Sequence, residues 1–251
     1  MLPTPDTSHV PIERVYEPAE DSFLFLDTLS APSETSWLAS HFPANSPTPL
    51  VLELGSGSGV VLAFVTAHAQ LIFGHANVLT ASADINPHAC LSTVTTVSKA
   101  CAAHTRSAGS YMCATNADLF GPWRSGMVDM LVFNPPYVPT PEIPSKPMTS
   151  KTDTEIAKDT HAQFERDEYF LALAYAGGKD GMETTDKVLD ALPDVLSERG
   201  VAYILLCRQN QPDQVKDRIK SLGSEWRVET VGTSGKTAGW EKLQIVRAWR
   251  E

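Results

Sequence analysis

Apolar positions are sparse at the amino end until Tyr16 to Leu29 (YEPAEDSFLFLDTL), where Phe23, Leu24 and Leu26 sit on a segment able to form an amphipathic helix. A proline-rich connector from Ser30 to Pro49 follows, with a short helix expected around Trp37 to Phe42. From Leu50 onward short apolar runs alternate with helical ones. LVLEL, VLTASAD, YMCAT, MVDMLVF and VAYILLC read as strands; VVLAFVTAHAQ, HACLSTVTTVSKACAAH and METTDKVLDALPDVLSER read as helices. A last helix is predicted over Gln211 to Leu222, and strands over Trp226 to Val231 and Lys242 to Trp249. Strands rich in Val, Ile and Leu with helices between them predict an α/β fold: a doubly wound, mostly parallel sheet of seven strands with right-handed crossovers. In such a sheet a ligand sits at the carboxyl ends of the strands.

Residues 1–49 are read as an N-terminal extension that lies as a lid on the ligand site, and 50–251 as the main domain, the two forming one globular unit. The stretch from Pro139 to Glu168 breaks the rhythm, being polar and poor in apolar periodicity, and reads as a loop or an insertion over the site.

Charge narrows the partners. Twenty Lys and Arg against thirty Asp and Glu leave a net charge of −10, which disfavours a broad electrostatic grip on nucleic acid. No run approaches the ~20 apolar residues that cross a bilayer, and the amino end lacks the features of a signal peptide, so the cytosol or nucleus is expected. Cys90, Cys101, Cys113 and Cys207 show no metal-like spacing and read as reduced, mostly buried thiols; the seven histidines form no cluster, so no metal is expected.

The candidate chemistry lies at the strand ends. Glu53-Leu54-Gly55-Ser56-Gly57-Ser58-Gly59 follows an apolar strand and opens a helix, so its glycines allow a tight turn and close approach of a ligand to backbone. The spacing is GxGxG rather than GxGxxG. Glu53 would repel a pyrophosphate but suits the ammonium and sulfonium charges of S-adenosylmethionine. Asp84, with Ile85 beside it, ends the next strand where a carboxylate can accept from both hydroxyls of a ribose. Asp118 and Leu119, after the third strand, can meet an exocyclic amine and the face of an adenine ring. The strand MVDMLVF ends in Asn134-Pro135-Pro136-Tyr137, whose prolines turn the backbone out of the sheet. The Asn134 side chain and the Pro135 carbonyl can then accept two hydrogen bonds from one planar NH2 group while Tyr137 stacks on its face, which selects an amide or amino nitrogen as nucleophile.

With these motifs the chain resembles the class I S-adenosylmethionine-dependent methyltransferases, and within them the HemK-like protein-glutamine methyltransferases that modify translation termination factors. The blocks VYEPAEDSFLFLDTL, LELGSGSGVV, ADINPHA, LVFNPPYVPT and AYAGGKDGMETTDKVL look like the eukaryotic and archaeal branch, which methylates the glutamine of the GGQ motif in the class 1 release factor. The resemblance implies a Rossmann-like class I fold, with residues 50–251 as the catalytic domain. It implies that Glu53, Gly55 and Gly57 meet the methionine part of S-adenosylmethionine, Asp84 and Ile85 the ribose, and Asp118 and Leu119 the adenine. Tyr16, Glu20 and Ser22 would close over the cofactor, Ser22 standing where the branch has Thr. Asn134, Pro135 and Pro136 would orient the glutamine amide and Tyr137 would wall the pocket. The connection from Val138 to Ala174 is longer than in the branch.

The same resemblance implies a heterodimer with a small zinc-binding methyltransferase activator protein. Val78 to Ala83 reads as an edge-type strand with few charges, a template for another chain, although an internal strand paired on both sides has the same composition. Rival functions are methylation of adenine in DNA or of protein lysine through the same NPPY pocket, a dehydrogenase, or a non-catalytic binding module. A flexible ammonium fits a clamp for planar NH2 poorly, and the glycine spacing disfavours a dehydrogenase.

Overall fold

The computed structural model describes residues 2–146, 159–235 and 242–251. Seven strands form one sheet: β1 (Leu50–Leu54), β2 (Leu79–Asp84), β3 (Ser110–Asn116), β4 (Val128–Phe133), β5 (Leu196–Cys207), β6 (Trp226–Thr233) and β7 (Leu243–Arg250). Their order is β3-β2-β1-β4-β5-β7-β6. The first five strands run parallel, while β7 is antiparallel to both β5 and β6. The reversal of order between β1 and β4 opens a crevice at their carboxyl ends.

Helices cover both faces, and β1 and β4 are accordingly buried at every position. Val51, Met130, Val132, Tyr203 and Ile245 pack on one side with Phe25 and Leu29 of α1 (Glu20–Ser30), Leu38 of α2 (Pro32–His41), Phe64 of α3 (Val60–Ala67) and Ile72 of α4 (Ala69–Ile72). Leu52, Leu54, Leu131, Ile204 and Val246 face the other way. The period-two split of continuous apolar runs is what a doubly covered sheet requires. The N-terminal extension therefore shares its core with the sheet. A buried ion pair pins it: Arg247 Nη1 of β7 lies 2.8 Å from Glu34 Oε2 of α2, and the same carboxylate accepts from the Tyr203 hydroxyl at 2.9 Å.

Several boundaries differ from the sequence reading. The helix expected over VVLAFVTAHAQ breaks at His68 into α3 and α4. The helix after Met182 runs Glu183–Val195 and yields to β5 at Leu196, so LSER is strand rather than helix. Within Pro139 to Glu168, residues 147–158 lie outside the described residues, but Thr160–Leu173 is a helix, and the sequence reading missed it. Numbered in chain order, α5 is Pro87–Ala103, α6 is Thr160–Leu173, α7 is Glu183–Val195 and α8 is Pro212–Lys220. Asp159 caps α6, its side chain accepting from the N–H groups of His161 and Ala162.

Two expectations are corrected. Strand β2, Val78 to Ala83 in the sequence reading, is no edge: it pairs with β1 on one side and β3 on the other. Its low charge reflects burial, since five of its six residues are buried. The edge is β3, with Met112 and Cys113 exposed. The thiols are all free, yet only Cys90 and Cys207 are buried. Among the described residues no helix is long and apolar enough to cross a membrane, and no His, Cys, Asp and Glu cluster could hold a metal.

Candidate active site

A cavity of about 280 Å³ lies at the carboxyl ends of β1, β2 and β4, near the low end of small-molecule sites. The turn from β1 to α3 forms its floor. Gly55 and Gly57 adopt φ of +63° and +52°, which L side chains rarely tolerate. Gly59 is required for packing as well: a Cβ there would meet Thr93 Cα of α5 at 2.6 Å. The turn is tied to β2, because Gly55 N–H donates to Ala83 O at 2.8 Å and Gly57 N–H to Asp84 Oδ2 at 2.9 Å.

Two buried carboxyls face this cavity. Glu53 is 3% exposed; its Oε2 accepts from Leu62 N–H at 3.1 Å, and among the described residues Oε1 has no hydrogen-bond partner. Burial drives its pKa well above the ordinary range, opposed in part by the Leu62 N–H and reinforced by the charge of Asp84. Burial likewise raises Asp84 to about 6 against the pull of the Gly57 and Asn86 N–H groups. A cavity with two desolvated acids favours a cationic ligand carrying hydroxyl donors and rejects a pyrophosphate.

The remaining sequence-predicted residues divide. Tyr16, Ser22, Gly55, Gly57, Ile85, Asp118, Leu119, Asn134, Pro135 and Pro136 line the cavity with Glu53 and Asp84. Leu119 has φ of +47°, a left-handed conformation for a non-glycine residue lining the cavity. Glu20 and Tyr137 are not among the lining residues. Glu20 is exposed in the first turn of α1, and Tyr137 is buried in the apolar core with Val132 and Tyr203. The backbone of Tyr137, expected to wall the pocket, anchors the turn, while its ring belongs to the hydrophobic cluster.

That anchoring explains the AYAGGKDG block. Val138 N–H donates to Tyr175 O at 3.1 Å and Gly177 N–H to Val138 O at 2.8 Å. Buried Asn210, unremarked in the sequence, donates from Nδ2 to Tyr137 O at 3.1 Å and to Asp180 O at 3.0 Å. Gly181 fits only as glycine, because a Cβ would meet Tyr137 O at 2.1 Å. Held from behind, the turn presents Asn134, whose Oδ1 is buried and has no hydrogen-bond partner among the described residues. A buried unpaired acceptor costs ~1–3 kcal/mol unless a ligand supplies the donor.

Sequence reading also missed Asp21, Tyr169, Phe170, Thr184 and Lys187, all of which line the cavity. Asp21 is buried and accepts from Ser22 N–H at 2.6 Å. Its position beside Ser22 in the EPAEDS block was the available signal. Tyr169 and Phe170 come from α6; burial, and after it the charge of Asp118, push the Tyr169 phenol above its ordinary pKa.

The sheet order and this cavity define a class I methyltransferase. Solved structures agree at the level of fold: a chain of the E. cuniculi Mtq2-Trm112 complex superposes with a TM-score of 0.55 at 21% identity, covering 95% of this chain and 99% of that one. The catalytic domain of human METTL16 gives 0.52 at 12% identity, over 96% of this chain and 73% of that one. No family model matches the chain. The curated relatives go further. Methyltransferase HEMK2 of Mus musculus is 33% identical over 98% of this chain and 96% of its own length. The eRF1 methyltransferase catalytic subunit mtq2 of Schizosaccharomyces pombe is 30% identical over 100% of this chain and 96% of its own. The chain belongs to the HEMK2/Mtq2 family of protein-glutamine methyltransferases, enzymes dependent on S-adenosylmethionine.

Proposed function

We propose that this chain is a catalytic subunit that methylates the side-chain amide nitrogen of the glutamine in the GGQ motif of the class 1 release factor. The observation that carries this reading is Asn134 Oδ1: an acceptor buried at the cavity wall, on a rigid turn, and in want of an N–H donor. A planar carboxamide would supply that donor. Methylation of eRF1, the activity of the Schizosaccharomyces pombe relative and of the E. cuniculi Mtq2-Trm112 complex, supports the same substrate.

The residues fit S-adenosylmethionine. Glu53 would hold its cationic methionine part, Asp84 the ribose hydroxyls, and Asp118 with Leu119 the adenine. When bound, it supplies a methyl group already activated on a sulfonium sulfur. What remains for the chain is alignment, exclusion of water and handling of the amide proton. By accepting from the amide NH2, Asn134 would fix the nitrogen's face toward the methyl end of the cavity and favour electron density on nitrogen, an effect that strengthens as positive charge develops there. Tyr16 and Ser22 from the N-terminal extension and Phe170 from α6 narrow the opening to water.

A partner is part of the proposal. Strand β3 is at the sheet edge and offers exposed Met112 and Cys113, with Leu91 and Val94 exposed on α5. An edge strand beside apolar side chains is a surface for strand addition. E. cuniculi Mtq2 was solved in complex with Trm112, and a small activator of that kind is the partner proposed for this edge. The test is transfer of labelled methyl from S-adenosylmethionine, by the chain co-purified with the activator, to the release factor and to its GGQ Gln→Ala variant. Label in the first and not the second supports the reading; equal label in both rejects it.

A further inference from the structure

Three chain segments remote in sequence meet at one carboxylate beside the cavity. Asp167 lies on α6 with its Oδ2 2.9 Å from Arg14 Nε of the N-terminal arm and its Oδ1 3.4 Å from His88 Nε2 of α5, charge contacts in which neither Arg14 Nε nor Asp167 Oδ1 makes a hydrogen bond among the described residues. The Asp167 side chain is 12% exposed. Each participant adjoins residues that line the cofactor cavity: Val15 and Tyr16 follow Arg14, Ala89 follows His88, and Tyr169 and Phe170 follow Asp167 within one helical turn.

The two anchors are themselves fixed. Asn86 caps α5, its Oδ1 accepting from His88 N–H at 2.9 Å, while its Nδ2 donates to Arg14 O at 2.8 Å. The arm is moored again along α5, where Lys99 Nζ lies 3.1 Å from Asp6 Oδ2 and Thr96 Oγ1 3.2 Å from His9 Nε2. Helix α6 has little apolar anchorage by comparison. Only Asp167 and Phe170 of its residues are buried, and Phe170 faces the cavity rather than the sheet core. A helix that lies over a cavity with so small an apolar footprint depends on its polar tether.

We propose that Asp167 is a positioning residue: through its ion pair with Arg14 it holds α6 over the cofactor end of the cavity and sets how long S-adenosylmethionine or its product stays bound. The proposal rests on the reading that this cavity takes S-adenosylmethionine. Asp167 touches no reacting group; it acts through Phe170 and Tyr169, which form the roof. The sequence feature that supplies it is the long connection between NPPY and AYAGG, which a polar pattern disguised as a loop.

The test uses the full chain co-purified with its activator and S-adenosylhomocysteine as probe. In Asp167→Asn the dissociation rate, followed by displacement with excess unlabelled ligand, rises about tenfold (~1.4 kcal/mol) while the ligand-free Tm is unchanged. Arg14→Gln gives the same change, and the double variant gives no more than either single one, since both act through one contact. Asp167→Glu restores part of the residence time. Glu165→Gln, on the exposed face of the same helix, behaves as wild type. Dissociation at the wild-type rate in Asp167→Asn, additive effects in the double variant, or a rate increase that follows a fall in ligand-free Tm would each overturn the proposal. Absence of any binding by the wild-type complex would overturn the reading of the cavity, a result distinguishable from all of these.

Discussion

Replacing Glu53 with Gln should move stability and ligand affinity in opposite directions. The carboxyl is 3% exposed, accepts one N–H from Leu62, and is held well above its ordinary pKa by desolvation. Glutamine keeps the acceptor for Leu62 and removes a charge that the fold carries at a cost, so the ligand-free variant is at least as stable as wild type at pH 8. Binding is different, because the carboxylate would meet a cation in a desolvated site. A charge-assisted hydrogen bond there is worth ~1.5–3 kcal/mol, or roughly a 10- to 150-fold loss of S-adenosylmethionine affinity. At a ligand concentration of ~100 Kd, wild type gains ~2.7 kcal/mol, about 5–10 °C in Tm for a chain of this size. A 30-fold weaker variant at the same concentration gains only ~0.9 kcal/mol, about 2–3 °C. Thermal unfolding with and without ligand, paired with calorimetric titration, reads both quantities. A parallel fall in ligand-free Tm and affinity would refute the reasoning and make Glu53 a cap for α3 rather than a ligand group.

Asp84 gives a pH signature. Its pKa of about 6, against 3.8 in the unfolded chain, means that the folded state binds this proton more tightly. Its contribution to ligand-free stability is thus present below about pH 4 and lost as pH rises through about 6, by up to ~3 kcal/mol. Affinity for S-adenosylmethionine runs the other way, falling as pH drops below about 6 because ribose hydroxyls need the carboxylate as acceptor; titrations at pH 5 and 7.5 with equal affinity would contradict it. Arg247→Leu leaves Glu34 and the Tyr203 hydroxyl without their buried cation and costs ~3–5 kcal/mol, read as a fall in denaturation midpoint. Replacing Glu34 and Arg247 together with apolar residues recovers much of that loss, and a double variant as unstable as the single one would show that the pair, and not the orphaned charge, carries the stability.

The fold was legible because apolar runs mark its central strands. LVLEL and VDMLVF are buried at every position and could hardly sit elsewhere than in a sheet covered on both faces. Glu53 and Asp84, which line the cavity, were legible for a related reason, since each sits at the carboxyl end of a buried strand. What escaped the sequence lies where pattern and packing disagree. Helix α6 buries only two residues, so it has no periodic apolar stripe to betray it. Strand β2 was mistaken for an edge because Thr and Ser, buried here through bonds such as Thr66 Oγ1 to Thr80 Oγ1 at 2.8 Å, look like solvent-facing positions. Tyr137 follows the Asn134 turn in sequence, yet its ring belongs to the hydrophobic core. Asn210 left no local mark, since its role depends on Tyr137, 73 residues earlier in the chain.

On the proposed function, the Asn134 turn presents a glutamine amide nitrogen for methylation. The most direct test of this is fragment-ion mass spectrometry of the release factor after incubation with S-adenosylmethionine and the complex, wild type beside Asn134→Ala. Wild type is expected to add one methyl to the GGQ glutamine side chain, and Asn134→Ala none although that variant still binds S-adenosylmethionine. A methyl group on another residue, or full modification of the glutamine by Asn134→Ala, would contradict it.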